Sequence, residues 1–392
     1  MAERIIVGNL DCEADFAAAS AGNPRPPALP RHVLENIAAA STLLRVFCEE
    51  GDLLWTPVAV DGGRLTGPPE LARPSLTSGP LAAAVEKRTL LAWGETGDVA
   101  AARSGRPPAQ PFREEAPLGE NLWNLPTATP GAAAKVNDKR FCQQLREKLG
   151  LALPTSRIVE SIEELEKHLE AEKNRPELSG GWILKAPFSA AGRLRVVSAG
   201  PEAGELELKR ARNLFEAQGA LVFEPWLERT ADFGFCSLVL AERTILLGSH
   251  SLETSPQGRF RGLVFNPPAP AVSLAAPADQ AELEATVAAA SEAAREEGYL
   301  GPLEIDCWSW RDENGTDRFH PLGEINARIS FGLVGRAIIE KLSCSQDWLV
   351  KEPARLNIGT GQAHSEDVPS TELLSPEPPD GCGAWLQQVA AP

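Results

Sequence analysis

Residues 323–330 read GEINARIS, which sets a carboxylate (Glu324), an amide (Asn326) and a guanidinium (Arg328) at alternate positions, with Ile325, Ala327 and Ile329 between them. On a strand, that period of two puts the three polar groups on one face. Upstream, GPLEIDCWSW (301–310) places Glu304 and Asp306 in the same alternating way, and DENGTD between the two runs holds an Asn-Gly pair suited to a hairpin turn. If the runs pair, four oxygen-bearing side chains converge. Such a donor set suits Mg²⁺, which takes one or two carboxylates together with substrate phosphates. Asp306 precedes Glu324 by 18 positions, ample for a hairpin. The plainer reading is a half-exposed antiparallel sheet with one wet face.

Three further stretches bear on phosphate and nucleotide chemistry. LKAPFSAAGR (184–193) ends an apolar strand in Lys185 and continues in small residues, which let backbone N–H groups approach an anion. NDKRF (137–141) puts Lys139 in the first turn of a helix, a place where lysine is also ordinary solvated surface. LVFEPWLERTADFGF (221–235) runs from a strand through Glu224, Pro225, Trp226 and Leu227 to Asp232. The proline interrupts the ladder there, leaving either a hinge with backbone groups to offer or a plain edge strand ending in a polar loop.

The elements that must carry these residues follow from periodicity. RIIVGNL (4–10) reads as a first strand, HVLENIAAASTLLRVFCEEG (32–51) as a helix and RTLLAWG (88–94) as a strand, so residues 1–130 form a small α/β domain. A helix capped by Asn137 or Asp138 shows Phe141, Leu145 and Leu149 as its apolar face, and Ser161 with Glu164 is a capping-box pattern. Strands are expected at 182–187, 220–226, 233–240 and 243–250, and a long Ala/Glu helix at about 278–297. GSHSLETSPQGRFRGLVFN (248–266) reads as a polar insertion in which His250, Arg259 and Arg261 are candidates for binding a carboxylate. Gly8 and Asn9, after the first strand, are candidates to line an acceptor site, because open α/β sheets bind ligands at strand C-termini. Residues 346–392 are rich in Pro, Ser and Glu and read as a loosely packed tail.

Composition narrows the function classes. The chain has 392 residues and a net charge of −16, which argues against nucleic acid or an anionic membrane as a partner held by bulk charge. No run approaches the apolar length of a membrane span, and the N-terminus lacks signal-peptide architecture. Seven scattered cysteines, with no C-x-x-C pair, suggest neither a disulfide framework nor a zinc motif, and a reducing cytoplasm is the expected location. No G-x-S-x-G nucleophile motif or biotin-acceptor segment is apparent.

The order of the parts is more specific than any one of them: helix lysine, strand lysine with a small-residue loop, Glu-bearing hinge, strand Asp, then Glu-x-Asn. In this order the chain resembles the ATP-grasp superfamily, and FHPLGEINARIS looks like its E-x-N-x-R motif. The resemblance implies an α/β (α+β) chain: an N-terminal pre-ATP-grasp-like domain, then a two-lobed ATP-grasp domain with antiparallel sheets. Residues 131–345 would form that domain, with a small lobe at about 150–225 and a large lobe at about 226–345. It implies that Lys139 and Lys185 contact ATP phosphates and that Ser189, Gly192 and their neighbours to Arg193 close over them. Glu224 and Leu227 would hold the adenine edge and Asp232 the ribose. Asp306, Glu324 and Asn326 would bind Mg²⁺, with Mn²⁺ a substitute, and Arg328 with Arg261 would act on the transferred phosphate or substrate carboxylate. The phosphate loop is Ala-rich where many relatives are Gly-rich, and Glu304 stands where some ligases carry Arg. The implied activity is ATP-dependent ligation of a small carboxylate to an amine through an acylphosphate. Phosphotransfer, non-amine acyl ligation and noncatalytic nucleotide binding are the alternatives, and a homo-oligomer is compatible with all of them.

Overall fold

The computed structural model describes residues 4–23, 25–85, 88–103, 112–189, 194–254, 260–266, 277–360, 368–377 and 381–389. Three sheets organise these residues. The first is parallel, in the order β3-β2-β1-β4, from β1 (Arg4–Val7), β2 (Leu53–Trp55), β3 (Ser75–Thr77) and β4 (Thr89–Ala92). Ile5, Ile6 and Val7 are fully buried, as expected of a parallel strand covered on both faces. The strand order reverses direction between β1 and β4, which makes the C-terminal ends of those two strands a topological switch point.

The second sheet is antiparallel, in the order β5-β8-β6-β7: β5 (Arg157–Val159), β6 (Trp182–Lys185), β7 (Arg195–Ser198) and β8 (Leu221–Pro225). Trp182, Leu184 and Phe223 bury one of its faces together with Leu165, Leu169 and Leu214 of the helices Ile162–Glu172 and Glu205–Gln218. Ser161 Oγ caps the first of these helices by accepting from Glu164 N at 3.2 Å, while the Glu164 carboxylate accepts from Glu160 N. Because side chains alternate along a strand, Ile183, Lys185 and Glu224 lie on the opposite face.

The third sheet has eight strands, antiparallel throughout, in the order β13-β12-β9-β10-β11-β14-β16-β15. They are β9 (Arg229–Val239), β10 (Thr244–Thr254), β11 (Phe260–Phe265), β12 (Gly301–Arg311), β13 (Asp317–Asn326), β14 (Ala354–Thr360), β15 (Ser370–Leu374) and β16 (Cys382–Gln388). The Asn-Gly turn between β12 and β13 closes as expected: Gly315 has φ +75°, and Asp312 Oδ1 accepts from Asn314 N and Thr316 N at 3.0 and 2.8 Å. The helix Pro277–Glu296 packs against β9, β10 and β13, burying Leu283, Val287, Ala290 and Ala294.

The expected helix at 32–51 is instead an α-helix at Arg31–Ser41 followed by a 3₁₀ turn at Thr42–Phe47. The tail is corrected too: β14 to β16 extend the large sheet, and Leu356, Leu373, Leu374, Ala384 and Leu386 are fully buried. Arg64 donates to the Ser375 and Cys382 carbonyls at 2.9 and 2.7 Å, fastening this segment to the N-terminal region. The polar insertion is corrected as well, because residues on either side of 255–259 form the β10–β11 pair. Arg259 lies outside the described residues.

Candidate active site

The hairpin β12–β13 has Asp306 directly opposite Glu324, and Glu304 directly opposite Asn326. The four therefore share one face of the large sheet. The Asn326 side chain hydrogen-bonds Asp306, and its Oδ1 accepts from Arg328 Nη2 at 2.8 Å. Burial, then the neighbouring Glu304 and Glu324 carboxylates, push Asp306 well above the ordinary carboxylate range. Crowded carboxylates with an amide oxygen are hard donors that fit Mg²⁺. β13 ends at Asn326, so Arg328 reaches this group from the turn that follows, not as a third alternate position on the strand.

That turn is held by Asn137, expected only as a possible helix cap. Asn137 Nδ2 donates to the Ala327 carbonyl at 3.1 Å, and Ala327 N donates back to Asn137 Oδ1 at 3.0 Å. Asp138 is the actual cap of the helix Lys139–Leu149, accepting from Arg140 N at 2.8 Å. The buried face of this helix is Lys139, Cys142, Gln143, Leu145 and Arg146, while Leu149 is exposed, which corrects the expected Phe141/Leu145/Leu149 face.

Lys139 is buried, and its Nζ donates to Glu324 Oε1 at 2.8 Å and to the Ser189 carbonyl at 2.9 Å. Burial works against its charge, but Glu324 and Glu13 more than offset that and raise its pKa. One cation thus joins the large-sheet carboxylates to the start of the loop after β6. Gly192 and the rest of 190–193 lie outside the described residues.

Lys185 ends β6 as expected, but its ammonium pairs with Glu224, diagonally across from it on β8. The other Glu224 oxygen accepts from Arg146 Nη2 at 2.7 Å, and Arg146 Nη1 lies 3.5 Å from His320 Nε2. Burial favours protonation of Glu224, yet Lys185 and Arg146 overcome it and hold the carboxylate far below its usual range. Burial also lowers the pKa of Lys185, against the pull of Glu224. The Glu224 carboxylate, expected at the adenine edge, is 3% exposed and is shared here by the two cations Lys185 and Arg146.

Leu227 lies in the short link between β8 and β9, as expected for a hinge, and is half-buried. The preceding Trp226 N–H is taken by the Gly181 carbonyl at 2.9 Å. Asp232 stands on β9 with its carboxylate accepting from Arg229 Nη1 at 3.0 Å and Thr254 Oγ1 at 3.2 Å. Arg261 is exposed on β11, three strands from β12, so about 14 Å of sheet separates the two strands. The structure does not bring it to the carboxylates. His250, expected at the end of a strand and as a candidate carboxylate ligand, is on strand β10 but fully buried.

The parallel-sheet switch point meets this site. Asn9 clasps Gly94 across the ends of β1 and β4, donating through Nδ2 at 2.8 Å and accepting from Gly94 N at 3.2 Å. Arg328 Nη2 donates to Glu13 Oε1 at 2.8 Å, its guanidinium lies 5.6 Å from the Trp93 ring centre, and Ile329 N donates to the Trp93 carbonyl. Glu13, Arg146 and Asn137 carry the site's geometry, and no sequence spacing announced them.

No family model matches the chain, and no curated protein matches it. Solved structures do. Biotin carboxylase from Campylobacter jejuni, in complex with beta-gamma-ATP, matches with a TM-score of 0.54 at 12% identity, over 99% of this chain and 88% of that one. N5-carboxyaminoimidazole synthetase from Staphylococcus aureus matches with a TM-score of 0.53 at 12% identity, over 99% and 93%. L-amino acid ligase from Bacillus licheniformis matches with a TM-score of 0.50 at 12% identity, over 100% and 94%. These are ATP-grasp enzymes, and the chain has the ATP-grasp fold. Among the described residues no helix is long and apolar enough to cross a membrane.

Proposed function

We propose that this chain is an ATP- and Mg²⁺-dependent ligase that joins a small carboxylate to an amine through an acylphosphate, releasing ADP and phosphate. The observation that carries the reading is Lys139, whose ammonium touches both Glu324 and the Ser189 carbonyl. It puts a buried cation between a hard-oxygen cluster and the loop that follows a second lysine strand. The fold supports the class, and the residues of the site carry the assignment.

Asp306, Glu324 and Asn326 would hold Mg²⁺, which supplies charge neutralisation at the phosphate oxygens. Lys139 and Lys185 add fixed positive charge on the same oxygens, already oriented by Glu324 and Glu224, so little reorganisation accompanies reaction. The Leu227 backbone receives the adenine edge and Asp232 the ribose. Arg328, braced by Glu13 and Asn326 beside the switch point, orients the substrate carboxylate. A carboxylate oxygen attacks the γ-phosphorus as the bond to ADP breaks. The amine then attacks the acyl carbon, phosphate leaves, and the amine loses a proton.

The test is product analysis with ATP, Mg²⁺ and a panel of acids and amines. The reading predicts ADP release that needs both acid and amine, and a product equal to their sum less water. A stable phosphorylated product formed without amine would replace the ligase with a phosphotransferase.

A further inference from the structure

Deeper on the same face of the large sheet, beyond Asp306, three side chains from three adjacent strands converge: Cys236 on β9, His250 on β10 and Glu304 on β12. All three are buried, at 1%, 0% and 6% exposure. Cys236 Sγ lies 3.1 Å and His250 Nε2 3.8 Å from Glu304 Oε2, and the three ligand atoms lie within 4.8 Å of one another. Ser330 Oγ donates to the same Glu304 oxygen and stands 3.9 Å from Cys236 Sγ.

Two features set this cluster apart from an ordinary polar core. Among the described residues neither ring nitrogen of the fully buried His250 has a hydrogen-bond partner. A buried, unsatisfied imidazole is costly and calls for an unseen partner. The space around it is also cleared by glycine. A Cβ on Gly234, which lies between His250 and Asp306 in the strand register, would sit 2.5 Å from His250 Nε2. A Cβ on Gly332 would sit 2.2 Å from His250 Cε1 and 2.3 Å from Glu304 Oε2.

We propose that Cys236, His250 and Glu304 form a site for a borderline-soft divalent cation, zinc above all, distinct from the Mg²⁺ site of Asp306, Glu324 and Asn326. Thiolate, imidazole and carboxylate are zinc's ligand types, whereas Mg²⁺ takes oxygens. Ligands about 2.0–2.3 Å from one tetrahedral ion stand about 3.3–3.8 Å apart, close to the 3.1 and 3.8 Å that separate Glu304 Oε2 from Cys236 Sγ and His250 Nε2. Binding displaces the thiol proton of Cys236 as the Zn–S bond forms, and His250 donates a ring lone pair. The ion would tie β9, β10 and β12 together beneath the N-terminus of the helix Phe331–Leu342, behind the nucleotide site. It requires no ATP chemistry, so its failure leaves the ligase reading intact.

The experiment is elemental analysis of the full chain, purified from zinc-supplemented cells and dialysed against a mild chelator, beside cobalt-loaded protein examined by absorption. Roughly one zinc per chain is expected, falling to about a tenth or less in Cys236→Ala and His250→Phe and unchanged in Glu324→Gln. His250→Phe keeps an aromatic ring against Phe265, which lies 5.3 Å from the His250 ring, and so favours folding. Cobalt-loaded wild type should show thiolate-to-metal charge-transfer absorption, a readout that does not depend on the variants folding. Zinc-free wild type, zinc content indifferent to both substitutions, or a cobalt spectrum without the thiolate band would each overturn the proposal.

Discussion

Replacing Glu224 by glutamine removes the anion that Lys185 and Arg146 share. Glu224 is 3% exposed and Arg146 1%, so bulk water does not satisfy Arg146 where it stands, while the Lys185 side chain is only partly exposed. Breaking a buried ion pair from one side costs about 3–5 kcal/mol, chiefly through the charge left unpaired. Here two cations are left, and the upper half of that range is expected at neutral pH. Lys185 offers partial relief, because burial already lowers its pKa, so the loss should shrink at alkaline pH as the ammonium deprotonates. Urea unfolding followed by tryptophan emission reads this directly, since Trp182 is fully buried in the second sheet. The double variant Glu224→Gln/Arg146→Met should recover part of the loss, because it removes the more deeply buried of the two unpaired cations and leaves only Lys185 without its anion. A single-variant cost below about 1 kcal/mol, or a double variant no better than the single, would refute the view that the ion cluster holds this face together.

Acid should reveal the same carboxylate in wild type. Its folded pKa lies well below the 4.5 of an ordinary glutamate, so its stabilisation is present above that pH and is lost as pH falls below it; the stability–pH slope there should flatten in Glu224→Gln. Asn137→Ala removes the two-way clasp on Ala327 and should cost about 1–3 kcal/mol, with weaker Mg²⁺-dependent ADP binding in titration calorimetry. Gly332→Ala forces a methyl group against His250 and Glu304 and should cost about 1–3 kcal/mol in urea unfolding, more than Gly131→Ala, where a Cβ meets nothing. Glu13→Gln frees the Arg328 guanidinium from its ion pair; turnover should fall roughly tenfold or more while ADP affinity stays within about twofold, separating orientation from nucleotide binding.

The parts of the site that were legible in the sequence are those written as local pattern. Glu324 and Asn326 alternate on a strand, Asp306 does so on its partner, and an Asn-Gly turn sits between them, so the hairpin and its polar face follow from period two. Lys185 was legible as a charge at the end of an apolar run. Arg146 was not, because a basic residue on a helix looks like solvated surface until β8 brings Glu224 against it. His250 was legible as the end of a strand, but its full burial was not, because Gly-Ser-His-Ser is polar. Its close packing is permitted by Gly234, opposite it on β9, and by Gly332, far downstream, neither marked by spacing. The tail misled for a related reason: ARLNIGT, STELL and CGAWLQQ are short and separated by Pro- and Glu-rich links, and the pairing of ARLNIGT with β11 and with CGAWLQQ is nonlocal. The zinc-type trio shows the same limit. Its ligands stand on three strands whose order in the sheet differs from their order in the chain, so no C-x-x-C-like spacing records it.

Lys139, Lys185, Asp306 and Glu324 are proposed to form a Mg²⁺-dependent nucleotide site. The most direct measurement is thermal unfolding with ADP or ATP, each with and without Mg²⁺, on wild type and Glu324→Ala. Nucleotide at about 100 times its Kd should stabilise wild type by roughly 2.7 kcal/mol, seen as a rise in midpoint that needs Mg²⁺ and is lost in the variant. Well-folded wild type whose midpoint does not move with either nucleotide would contradict the account.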